Sequence, residues 1–188
     1  MTAGRAQAVV IGASAGAVEA LSVILPALPE AFPLPVIVVV HVPPDRPSLM
    51  VDLFRAKCRL RVGEAEDKEP LAAGTVYFAP PDYHVLVEAD KTLSLSNDEP
   101  VLFSRPAIDV LFESAADAFG TALVAIVLTG ANHDGARGLK AVCDAGGIAI
   151  VQRPEGALAP AMPEAAIRTC PDALVLSLDA IAEYLKEV

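Results

Sequence analysis

Ser14 sits inside VVIGASAGAVEAL, residues 9–21, where an apolar run meets Gly-Ala-Ser-Ala-Gly and then resumes with helical spacing. The pattern reads as a strand turning sharply into a helix, with a hydroxyl exposed at the helix N-terminus. It has the form of a G-x-S-x-G nucleophile elbow: small neighbours permit the tight turn, and the helix amides face developing negative charge. Such a serine needs a base. His41 directly follows a Val/Ile run at 36–40, and Asp134 follows the run 123–128 through Thr-Gly-Ala-Asn-His-Asp-Gly. Together they supply the side chains of a proton relay. Ser14 attacks an acyl carbon, His41 takes its proton, and Asp134 fixes the imidazole tautomer and stabilises the imidazolium.

Each residue also has a structural reading. Ser14 and Asp134 are common helix caps, and His41 could be a hydrogen-bonded histidine at a strand end. Three polar groups at three strand ends favour chemistry, because working residues of open α/β sheets gather beyond the carboxyl ends of strands, near a switch in strand order. His84 reads as structural. His133 adjoins Asp134, but neighbours on a tight loop point apart, so it stands only as a fallback base.

The elements that must position these groups follow from the hydrophobic pattern. Short β-branched runs alternate with amphipathic segments, which predicts a doubly wound, mainly parallel α/β sheet with helices on both faces. Strands are expected at 8–11, 36–40, 123–128, 148–151 and 174–176, and helices at 15–25, 48–57, 106–119, 136–145, 163–168 and from 179. Three short runs at 75–78, 83–87 and 92–95, separated by Pro80-Pro81-Asp82 and Ala89-Asp90-Lys91, read as an inserted antiparallel β-meander. Pro43 and Pro44 end the second strand. No linker, repeat or charge block divides residues 1–188, so the expectation is a single domain.

Composition narrows the function. A net charge of −10 repels a phosphate backbone, and no Lys/Arg cluster interleaves with aromatics, so no nucleic acid is expected as a partner. The longest apolar run, 34–42, is far short of the roughly 20 residues of a spanning helix, so no membrane insertion is expected. A leader-like stretch at 1–17 is interrupted by Gly12 and Ser14. Cys58, Cys143 and Cys170 are odd in number without C-x-x-C spacing, which fits buried thiols in a reducing cytoplasm rather than a disulfide or metal site. A dinucleotide would need G-x-G-x-x-G, and Ser14 occupies the second glycine position. The order Ser, His, Asp also differs from the Ser, acid, His order of α/β-hydrolases.

That order, with its local strings, resembles the catalytic domain of CheB-type chemotaxis protein-glutamate methylesterases. The matching strings are IGASAGAVEAL, VVVHVPP, GTVYFAPPDYHVLV, RPAIDVLFESAA, LTGANHDGARGL and AIVQRPEGALAPAMPEAA, which together run through nearly the whole chain. The resemblance implies a cytoplasmic serine hydrolase that cleaves glutamate methyl esters on chemoreceptor helices, with glutamine deamidation as a companion reaction. It implies Ser14, His41 and Asp134 as the triad, no metal or organic cofactor, and a separate response regulator as a partner. Ala15, Ala131 and Met162 are the oxyanion and substrate-loop candidates. The chain departs from the family pattern at Ala15 and Ala17 in the elbow, at Ala131 and Asn132 in the aspartate loop, and at Arg153, where an acid is frequent. Two alternatives remain open: a non-catalytic docking module of the same fold, and an esterase or amidase for another substrate.

Overall fold

Val/Ile/Leu runs buried along their full length make strands that are covered on both faces, and this chain has three of them at the centre of its sheet. The computed structural model describes residues 5–43, 45 and 48–188. Pro44 and the start of the leader-like stretch, residues 1–4, lie outside the described residues. In chain order the elements are β1 (Ala8–Ala13), α1 (Ala17–Ile24), β2 (Val36–Val40), α2 (Met50–Lys57), β3 (Arg61–Glu64), β4 (Thr75–Phe78), β5 (His84–Val87) and β6 (Leu93–Ser96). There follow α3 (Ile108–Phe119), β7 (Leu123–Val127), α4 (Ala136–Asp144), β8 (Ile148–Gln152), α5 (Ala161–Thr169), β9 (Leu174–Leu176) and α6 (Leu178–Lys186).

Seven strands form a parallel sheet in the order β3-β4-β2-β1-β7-β8-β9. The chain lays β2, β3 and β4 on one side of β1, with β4 inserted between β2 and the edge strand β3, and then β7, β8 and β9 outward on the other side, so the order reverses between β1 and β7. Side chains alternate between faces with the period of two that a strand dictates. Val9, Ile11 and Val38 meet Leu21, Phe54 and Ile181 from α1, α2 and α6. Val10, Ile37 and Val127 meet Phe112, Leu139 and Met162 from α3, α4 and α5. Two helical layers thus cover the sheet, as the doubly wound pattern predicts.

Three details differ from the sequence reading. Thr75–Phe78 is not part of a meander: it pairs in parallel with β2 and β3, and its four residues are all buried. Continuous burial is the mark of a strand inside a parallel sheet, so only β5 and β6 form the antiparallel hairpin. β3 was not expected. It is a short edge strand, Arg-Val-Gly-Glu, whose charged ends discourage pairing with another chain. Arg61 opens β3, and Arg55 of α2 reaches the Val62 carbonyl at 3.2 Å.

The cysteines supply the third difference. Cys143 and Cys170 form a disulfide across 27 residues, joining the end of α4 to the cap of α5, while Cys58 keeps a thiol. Sequence spacing could not show this pair, because it is the packing of α4 beside α5 on one sheet face that brings the residues together. Burial pushes the Cys58 thiol up to about 11, against the lowering effect of the neighbouring Lys57 charge. Among the described residues, no helix is long and apolar enough to cross a membrane.

Candidate active site

β1, β2 and β7 are neighbours, so the groups that follow them are set side by side at the strand spacing of about 4.8 Å. The pairing of Ala13 with Val40 brings β1 and β2 to their ends together, and Ser14 and His41 are the next residue on each. The ladder continues past the strands: Ser14 N–H donates to Thr129 O at 2.9 Å, and His41 N–H to Ala13 O at 3.3 Å. Ser14 then enters α1 through Gly16, whose φ of 86° is open to glycine but strained for other residues. A Cβ at Gly16 would also meet Leu158 Cβ at 2.9 Å. The elbow is therefore sterically specified.

Asp134 is fully buried and accepts three donors. Its Oδ2 takes His41 Nε2–H at 2.7 Å and the Ile108 amide at 2.6 Å, while Oδ1 takes the Asp109 amide at 2.9 Å. With its proton on Nε2, the neutral imidazole of His41 offers Nδ1 as the acceptor. The ring nitrogens have exchanged the roles they play in the chymotrypsin-type relay, where Nδ1 faces the aspartate. Asn132 approaches that free nitrogen, with Nδ2 at 3.4 Å from His41 Nδ1, and its Oδ1 accepts the Asp134 amide at 3.0 Å in a local turn. Ser14 Oγ makes no hydrogen bond among the described residues. His41 and Asp134 are thus brought into contact, and Ser14 stands at the adjacent strand end.

A buried polar frame holds the loop between Leu128 and Asp134. Thr129 Oγ1 donates to Ala15 O at 2.8 Å and accepts the Ala159 amide at 2.9 Å, while the Thr129 amide donates to Gln152 Oε1 at 2.9 Å. Gly130 N–H donates to Ala159 O, and Met162 N–H to Gly130 O, both at 2.9 Å. The amides of Ala15 and Ala131 have no acceptor among the described residues, and both residues are exposed. They are therefore available as oxyanion donors. Met162 is not. Its amide already serves Gly130, and its side chain is fully buried beneath the loop. A Cβ on Gly130 would lie 2.4 Å from Met162 Cε, so the glycine and the methionine fit each other.

Asp109, Thr129 and Gln152 were missed by the sequence reading. Asp109 is 2% exposed, and its Oδ1 accepts the Gly135 and Gly138 amides at 2.9 and 2.7 Å. Burial pushes its carboxyl up to about 6; the Asp134 charge adds to this, while the two amides and Arg137 oppose it. The available signals were an acid in the first turn of α3 and a glutamine ending the apolar run of β8. His84 is buried and structural, with Nε2 at 3.0 Å from Glu99 O and Nδ1 accepting the Ala107 amide. His133 is exposed and does not contact Asp134. A cleft of about 330 Å³ opens at His41, walled by Pro43, Asp82, Phe103, Ser104 and Arg105. A second, of about 480 Å³, lies beside Asp109, His133, Arg137, Arg168 and Leu102.

Comparison with known proteins gives the family and the fold. The family model for CheB methylesterase matches residues 9–185. A Leptospira interrogans protein, named provisionally as a protein-glutamate methylesterase/protein-glutamine glutaminase, is 46% identical over 94% of this chain and 92% of its own length. A Carboxydothermus hydrogenoformans protein-glutamate methylesterase/protein-glutamine glutaminase is 38% identical over 95% of this chain, which spans 54% of that relative. The crystal structure of the Thermotoga maritima CheB methylesterase catalytic domain superposes with a TM-score of 0.93 at 34% identity, covering 97% of this chain and 98% of that one.

Proposed function

Because the chain belongs to the CheB methylesterase family, we propose that it hydrolyses glutamate methyl esters on chemoreceptor helices, and deamidates glutamines there, through Ser14, His41 and Asp134. The observation that carries this reading is the 2.7 Å contact between His41 Nε2 and buried Asp134, one residue past the end of the strand beside Ser14. In the first step Ser14 Oγ attacks the ester carbonyl carbon as its proton passes to His41 Nδ1. The C–O double bond opens to an oxyanion, which the Ala15 and Ala131 amides receive; each such donor contributes roughly 3 kcal/mol in comparable sites. Asp134 balances the imidazolium. Collapse breaks the bond to methoxide, which leaves as methanol with the His41 proton; a glutamine side chain leaves ammonia instead. Water, deprotonated by His41, then attacks the acyl-serine and releases glutamate.

Ser14→Ala is expected to abolish methanol release from methylated receptor and to prevent labelling by a serine-directed phosphonate. Activity retained in that variant removes Ser14 from the role. One contact favours a second reading, a receptor-docking module without turnover. Asn132, not Ser14, is the group on His41 Nδ1. Rapid phosphonate labelling at Ser14 excludes that module, and receptor binding without labelling establishes it.

A further inference from the structure

The first turns of α3 and α4 are each closed by a carboxylate belonging to the other. Neither helix is capped by its own N-cap side chain: Ala107 precedes α3 and Gly135 precedes α4. Asp134, at the entry to α4, receives the Ile108 and Asp109 amides of α3. Asp109, in the first turn of α3, receives the Gly135 and Gly138 amides at the start of α4. Both carboxylates are buried, and the helices are in backbone contact: a Cβ on Gly138 would stand 3.0 Å from Asp109 Cα. Gly135 follows Asp134 directly, so its amide is part of the peptide unit that orients the aspartate.

We propose that Asp109 is a positioning residue for the esterase reaction, holding the first turn of α4 so that Asp134 stays aimed at His41 Nε2. This rests on the reading of Ser14, His41 and Asp134 as the relay. An ordinary cap stabilises its helix wherever that helix sits; here the capped amides flank the carboxylate that orients the base. Displacement of a reacting group by about 1 Å can cost on the order of 100-fold in rate, so loss of the clamp should appear in kcat. The clamp also carries a titratable group. Asp109 is pushed up to about 6 by burial, and the groups facing it are Asp134 and His133 from the loop, Arg137 and Lys140 from α4, and Arg168 from α5. Its bonds to the Gly135 and Gly138 amides become charge-assisted, hence stronger, as pH rises through that value.

The test compares the full chain with Asp109→Ala and Asp109→Asn, using methanol release and the low-field proton NMR signal of the His41–Asp134 bond. Asp109→Ala should lower kcat by about 10-fold or more with KM nearly unchanged, and broaden that signal. Asp109→Asn keeps an oxygen for both amides and should recover most of the wild-type kcat at pH 8. In the wild type, the Gly135 and Gly138 amide resonances should shift with a midpoint of about 6, the low-field proton moving with them. That common step should vanish in Asp109→Asn. Wild-type kcat and signal in Asp109→Ala overturn the proposal, as does a folded Asp109→Asn no better than Asp109→Ala. Should Asp109→Ala not fold, the titrations decide, and a low-field proton indifferent to the Asp109 step overturns it. The NMR outcome stands apart from the relay reading, because the His41–Asp134 bond is observed whether or not Ser14 proves to be the nucleophile.

Discussion

His41 depends on a carboxylate that is held on both oxygens by backbone amides of the fold. Asp134 meets one imidazole and two backbone amides, all of them donors. Asn at this position would offer one acceptor atom and turn an NH2 group toward a donor. Either an α3 amide loses its partner or His41 is held in the wrong tautomer. Asp134→Asn is therefore expected to lower kcat by roughly 10⁴-fold, as the corresponding change does in a serine protease, and circular dichroism should show a folded protein. A loss below about tenfold would remove Asp134 from tautomer control. The placements of Ser14, His41 and Asp134 beyond the ends of neighbouring strands were legible in the sequence because each follows an apolar run, where a polar group has little to do for the core. Asp109, Thr129 and Gln152 were not. Their partners are backbone amides and carbonyls from distant segments, and nothing in local spacing reveals such pairings.

At the scale of elements, the site is fixed by close approach between α3 and α4. A methyl group at Gly138 would lie 2.6 Å from Phe112 Cβ and 3.2 Å from the Asp109 carbonyl oxygen, so the helices must separate to admit it. Gly138→Ala should cost about 1–3 kcal/mol by overpacking, outweighing the gain in helix propensity, and should lower kcat as Asp134 shifts. Gly156→Ala, with open space around the added methyl, is the matched control and should leave both unchanged. Denaturant unfolding of the two variants checks the difference. The far ends of α4 and α5 are tied by Cys143–Cys170. A loop of this length constrains the unfolded chain by about 3 kcal/mol, so reduction, or Cys143→Ser with Cys170→Ser, should lower Tm by several degrees. An unchanged melt under reducing agent would show that the bond contributes nothing to stability. The main strands were legible from continuous burial patterns. Assigning β4 to a meander failed because a four-residue apolar run has no period long enough to distinguish parallel from antiparallel pairing.

For the molecule as a whole, a net charge of −10 gives no long-range attraction to an anionic partner, so on the proposed receptor reading contact at the cleft is expected to come from apolar surface. The structure offers such surface where the relay opens. Phe103 is fully exposed on the tight turn closed by the Val101 and Ser104 backbone bonds, and both Leu102 and Phe103 hold positive φ. Bulky residues in that region carry backbone strain of about 1–3 kcal/mol, which is kept where surrounding structure and function require it. Phe103 walls the cleft at His41, while Leu158, also exposed, packs at the Gly16 elbow on the Ser14 side. On the receptor reading, a helix covering the cleft at His41 would bury Phe103, which a small ester has no need to touch. Burying a phenylalanine is worth about 1.5–3 kcal/mol, so Phe103→Ser should raise KM for methylated receptor at least tenfold with kcat held. Hydrolysis of a small acetate ester by the same variant should stay within a factor of two of wild type. Equal losses on both substrates would place Phe103 in the support of the relay, and no loss on either would move the receptor path away from this wall.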